Sequence, residues 1–265
     1  MEEKVLIEEK AESIPWTVGD LAKGITWVII YTILVSIGLG IGTTLLVGSD
    51  ALTELASSGL GISELLSEFF DLLASEGLLT PWLAMVFVGM LLGEGAFFLG
   101  AWQFSVFKYK VGWSALGFRP FNMRKGLLLA GGVVLAGLLI SVLYDLLMSQ
   151  FGEESSSLIL DFTDTALGLA TITILAVVLA PFAEETFFRG FLFTGIGNRY
   201  GYGWGAVFSA LIFAIAHLMQ PGAFLPIFLL GLLLAWLYKK TGSVWACIIT
   251  HSVYNSLALV FMLIY

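Results

Sequence analysis

Glu184 and Glu185 stand side by side in the most apolar part of the chain, Ala180-Pro181-Phe182-Ala183-Glu184-Glu185-Thr186-Phe187-Phe188-Arg189-Gly190. The only two histidines occupy later apolar runs. His217 closes Phe213-Ala214-Ile215-Ala216-His217, and His251 opens His251-Ser252-Val253-Tyr254-Asn255. An ionisable group at membrane depth costs at least ~2.5–3.5 kcal/mol on insertion scales, so it marks function or a dedicated partner. Two acids, two imidazoles and one amide are what hydrolysis of an amide needs. One group activates water, and others hold the oxyanion.

The elements that must position these groups are membrane spans. The 265-residue chain is 58% hydrophobic and 12% charged, about half the usual charged share of a soluble domain. Its mean hydropathy is +0.96. Apolar runs of ~20 residues, each long enough to cross the hydrocarbon core as a helix, recur along it. Short alternating strands of a β-barrel do not fit that pattern. The fold expected is all-α, a polytopic transmembrane bundle of about seven spans, with eight as the alternative count. The spans are placed at about 22–47, 80–107, 126–149, 166–197, 204–220, 223–239 and 242–264. Residues 51–79 alternate leucines with Ser and Glu and suit an amphipathic interfacial helix. Pro181 should bend the fourth span one turn ahead of the acids, and the part from Glu184 to about Gly197 should pack against protein rather than lipid.

All twelve Lys and Arg residues fall on one side of this arrangement. By the positive-inside rule that side is cytoplasmic, so the N-terminus is inside and, with seven spans, the C-terminus outside. Residues 1–21 read as an acidic cytoplasmic tail, 22–125 as N-terminal spans with the amphipathic outer loop, and 126–265 as the catalytic core. The acidic start is unlike a cleaved signal peptide, so the first apolar run should stay in the mature protein. The net charge of −8 comes from acidic ends and loops, and no basic stripe points to nucleic acid. The single cysteine, Cys247, excludes an intramolecular disulfide. Trp82 and Tyr265 are expected in an outer aromatic belt, and Trp204, Tyr238 and Trp245 in an inner one. Gly38, Gly40, Gly42, Gly131, Gly132 and Gly137 are expected to let helices approach closely.

Depth brings the polar residues together. Measured from the cytoplasmic edge at ~1.5 Å per residue, His251 lies ~14 Å deep, and His217 and Glu184 each lie ~20 Å deep. Glu185 and Arg189 are i,i+4 in the favourable ion-pair order, which reads as structural. Glu184 is turned ~100° away and has no such partner. Phe213 and His217 share one face, as do His251 and Asn255. Glu94, between Gly93 and Gly95 in the second span, is a further candidate for lining the same cavity.

The motifs Glu184-Glu185-x-x-x-Arg189, Phe213-x-x-x-His217 and His251-x-x-x-Asn255 resemble the CPBP family of intramembrane proteases. That family includes the type II CAAX prenyl endopeptidases and bacteriocin-processing proteins, and the resemblance covers roughly residues 165–260. It implies that Glu184, helped by His217, activates water, and that His251 and Asn255 stabilise the oxyanion. Glu185, Arg189 and Phe213 would be supporting residues. The zincin helix His-Glu-x-x-His is absent. The expectation is therefore no cofactor, with zinc held by Glu184, His217 and His251 as the alternative. Only one span fits between His217 and His251, fewer than the eukaryotic CAAX proteases need, which argues against prenylated substrates.

The leading expectation is an intramembrane endopeptidase acting on a membrane-associated peptide or protein, with that substrate and the lipid bilayer as its partners. It would be a multi-pass protein of a prokaryotic cell membrane. The alternative is a non-proteolytic CPBP-like scaffold or bacteriocin-immunity protein. A proton-relay transporter ranks last, because no internal repeat is present.

Overall fold

A computed structural model describes residues 14–150, 165–217 and 221–264. Most of the acidic tail, most of the 150–165 loop and Tyr265 lie outside the described residues. The described chain is helical, without strands. Its helices are α1 (Val18–Val47), α2 (Ser49–Ser57), α3 (Ile62–Ser75), α4 (Leu79–Phe107), α5 (Met123–Ser149), α6 (Ala166–Tyr200), α7 (Tyr202–Ala216), α8 (Phe224–Thr241) and α9 (Val244–Ile264).

Six of these, α1, α4, α5, α6, α8 and α9, are long and apolar enough to cross a membrane. The protein is an integral, polytopic helical membrane protein. The expected fifth span is the exception. α7 has only 15 residues and stops at Ala216 rather than at residue 220. Its last turn is closed by the His217 side chain, whose Nδ1 lies 2.8 Å from the Phe213 carbonyl oxygen. The expected 51–79 helix is two helices, α2 and α3, broken around Gly59 at φ +74°.

Caps fix where helices begin. Thr17 and Asp20 form a reciprocal capping box on α1, and Asp20 is also held by Lys108 and Tyr109 beyond the end of α4. Asn122 and Thr165 accept from the first-turn N–H groups of α5 and α6, satisfying donors a helix start leaves free.

α6 is the hub. It packs against α4, α7, α8 and α9, while α1 rests on α4, and α5 lies across α8 and α9. The largest core cluster centres on Phe187, Phe188, Phe191, Leu192 and Phe213. The outer faces are apolar instead: Leu34, Ile41, Leu128, Leu135 and Leu146 are all more than half exposed, as a lipid-facing surface requires.

Two packing expectations change. Among the glycines expected at close contacts, Gly42 faces Met85 and Gly137 faces Tyr254, but Gly38, Gly40, Gly131 and Gly132 have nothing nearby. Trp82 is a core residue under α3, between Phe69 and Phe70, and donates to Thr43 Oγ1 at 3.2 Å. Trp204 and Trp245 do face outwards.

Candidate active site

Every residue from Ala183 to Phe193 is buried, so the part of α6 around the acids faces protein on all sides. The helix is not regular there. Leu175–Leu179 and Thr186–Phe193 are π-helical turns that flank Ala180–Glu185. Such widened turns recur at functional sites.

The first π turn leaves one carbonyl to be served from another helix. In this register the carbonyl of residue i bonds the N–H of i+5. For Ala176 that residue is Pro181, which has no N–H. The Asn255 side chain supplies the missing donor, with Nδ2 2.7 Å from the Ala176 oxygen. The bend expected at Pro181 thus takes the form of a widened turn stitched to α9.

The two acids have different surroundings. Glu185 is fully buried, and its Oε1 accepts from Arg189 Nη1 at 2.8 Å and from His251 Nδ1 at 2.9 Å. Arg189 is equally buried. It donates through Nη2 to the Gly231 carbonyl at 3.3 Å and lies 4.6 Å from the Phe213 ring centre. A guanidinium over an aromatic face recovers part of its lost hydration. Gly231 allows this approach, because a Cβ there would come within 2.9 Å of the Ala210 Cβ on α7.

Among the described residues the Glu184 carboxylate makes no ion pair with Arg189 and no direct hydrogen bond. It lies between the two histidines, with Oε1 3.6 Å from His217 Nε2 and Oε2 3.9 Å from His251 Nδ1. The tautomers follow from the partners. The Phe213 carbonyl only accepts, so His217 carries its hydrogen on Nδ1 and turns Nε2 toward Glu184. His251 donates Nδ1–H to Glu185, leaving Nε2 free. The His217 side chain is 26% exposed against 7% for Glu184, so the pair opens on the His217 side. Phe213 packs against both rings, with centroids 4.7 Å from His217 and 5.8 Å from His251.

Glu184, His217 and His251 thus converge from α6, α7 and α9. Asn255 is one turn beyond His251 and touches α6 through Ala176 rather than through Glu184. Glu94 projects from α4 with its Oε2 sealed and unpartnered among the described residues, and Glu184 acts on it electrostatically. Motif reading missed two contributors, the Gly231 and Ala176 carbonyls, because backbone groups leave no mark in residue type. It also missed the bond from Glu185 to His251.

The nitrogen that His251 turns to Glu184 carries the hydrogen given to Glu185, so it has no lone pair for a metal. Among the described residues no three His, Cys, Asp or Glu side chains are grouped to hold an ion.

Residues 166–257 match the family described as type II CAAX prenyl endopeptidase Rce1-like. The stretch runs from the start of α6 into α9 and contains Glu184, His217, His251 and Asn255. No curated protein and no solved structure matches the chain. The match is consistent with the CPBP family and supports, at that level, a peptidase. The C-terminal part of this integral membrane protein is thus similar to the Rce1-like family over residues 166–257.

Proposed function

We propose that the protein is an intramembrane endopeptidase that hydrolyses a peptide bond of a membrane-associated peptide or protein. The observation that carries this reading is the Glu184 carboxylate standing 3.6 Å from His217 Nε2. Both atoms are acceptors, so neither satisfies the other, and one water can give a hydrogen to each. Glu184 takes a proton from that water as its oxygen attacks the scissile carbonyl carbon, while Nε2 orients it.

The oxyanion then falls to His251 and Asn255. Asn255 spends one amide hydrogen on Ala176 and keeps the second. His251 keeps Nδ1 on Glu185 and turns Nε2 to the oxyanion, where it donates when its ring carries both protons. Glu185 and Arg189 hold the histidine in place. No step requires a metal. α1 starts on the cytoplasmic side, because every described Lys and Arg except the buried Arg189 falls toward the side where α4 ends and α5 begins.

Purified protein in detergent, given a tagged peptide library, should cleave a subset of peptides. Glu184→Gln should cleave none while keeping the same melting temperature, and treatment with a strong chelator should leave the wild-type rate unchanged. A Glu184→Gln protein cleaving at the wild-type rate overturns the assigned base and favours a non-proteolytic scaffold. Loss of activity on chelation, restored by zinc, overturns the metal-free route.

A further inference from the structure

Glu94 lies outside the Rce1-like stretch, on α4. One of its oxygens, Oε2, is sealed without a partner among the described residues, while the residue as a whole is only half-buried. An unpaired carboxylate at bilayer depth is costly, and among the described residues no positive group is paired with this one. Added side chains at Gly93 or Gly95 would meet nothing within 4 Å, so there is room along α4 on both sides of the carboxyl.

Ring contacts fix how α4 lies on α6. Phe97 meets Phe187 with centroids 5.4 Å apart, and Phe98 meets Phe182 at the same distance. The same helix, α4, packs directly on Ala180–Glu185, the segment that carries Glu184. Two carboxyls sharing a low-dielectric site do not both ionise, and one keeps a proton. Glu184 faces two imidazoles, whereas the charged group acting on Glu94 is Glu184 itself. The proton belongs on Glu94.

We propose that Glu94 is the general acid of the hydrolysis, protonating the leaving nitrogen. The role rests on the peptidase reading above. In the first step water forms the new C–O bond and gives its proton to Glu184, leaving a tetrahedral oxyanion. In the second the C–N bond breaks, and its electron pair takes the proton from Glu94, so a neutral amine departs. Glu184 is then protonated and Glu94 ionised. A proton passed from Glu184 to Glu94, directly or through a water, restores the starting state. Water has been split between the two products.

Two measurements test this. A library peptide that the wild type cleaves is compared with its thioester analogue, whose thiolate leaves without a proton. Glu94→Gln should slow amide cleavage ~10²–10⁴-fold, the usual reach of a general acid, and thioester cleavage less than about tenfold. Glu184→Gln should slow both alike. Should Glu94→Gln not fold, Glu94→Asp carries the same contrast, with the amide slowed more than the thioester. An unchanged amide rate, or equal losses on both substrates, overturns the role for Glu94 while the peptidase reading stands. Independently of activity, the infrared spectrum at neutral pH should show a protonated-carboxyl band that Glu94→Gln removes. If only ionised-carboxylate absorbance is lost, the assignment is wrong. A wild type that cleaves no peptide sinks the peptidase reading, and the catalytic role with it.

Discussion

Glu185 Oε1 and His251 Nδ1 lie 2.9 Å apart although 66 positions separate them in the chain. The same oxygen accepts from Arg189, so one carboxylate ties the arginine of α6 to the histidine of α9. The acid assigned only to structure therefore also sets the tautomer and tilt of a ring in the site. A group that fixes the other nitrogen of a histidine decides what its free nitrogen can do.

Glu185→Gln should consequently behave unlike Glu184→Gln. It leaves Arg189 as a buried, uncompensated charge, which typically costs ~3–5 kcal/mol. Thermal melts in detergent should show a large loss for Glu185→Gln and little change for Glu184→Gln. Equal melting temperatures would refute the division between the two acids.

Asn255 and Pro181 should be energetically coupled. Asn255→Ala leaves the Ala176 carbonyl without a donor and should cost about 1 kcal/mol. Pro181→Ala returns a backbone N–H that can bond that carbonyl, so in its background Asn255→Ala should cost less. A double-mutant cycle on denaturation midpoints would measure the coupling, expected at ~0.5–1.5 kcal/mol. Strict additivity would mean that the proline does not create the vacancy.

Gly231→Ala should destabilise by ~1–3 kcal/mol, the usual range for overpacking. Its Cβ has no room against Ala210, and moving α8 away stretches the bond from Arg189 to the Gly231 carbonyl. Ala210→Gly in the same chain should recover part of the loss, read as a melting temperature.

Exposed positions give the orientation. Cysteines placed at Ser57 and Gly203, both exposed, should react differently with an impermeant reagent in intact cells. Ser57→Cys should label from outside and Gly203→Cys only after permeabilisation. The native Cys247 is buried and contributes little background. The reverse pattern would invert the topology.

Much of this architecture is legible in the sequence because lipid imposes one-dimensional rules. Long apolar runs place α1, α4, α5, α6, α8 and α9, and helical depth alone brings Glu184, His217 and His251 to one level. What stays hidden depends on contacts between segments. Nothing in residue type marks the π turns at Leu175–Leu179 and Thr186–Phe193, or shows that Asn255 serves the carbonyl that Pro181 cannot. The early end of α7 depends on a histidine ring folding back onto the Phe213 carbonyl. Trp82 has a belt residue's place in the sequence but a core residue's surroundings, because α3 folds over it.

The link between Glu185 and His251 also bears on how the chain is made. α6 leaves the ribosome carrying Glu184, Glu185 and the arginine that pairs with Glu185, and α9 follows only after the 66 positions that separate the bonded pair. At ~5–20 residues per second the wait is roughly 3–13 s. Through that interval Glu185 and Arg189 neutralise each other within one helix, while the histidine that completes their bonding does not yet exist. Newly made chains arrested between α8 and α9 should therefore hold a half-satisfied charge cluster in the bilayer, a state that membrane quality control is well placed to detect.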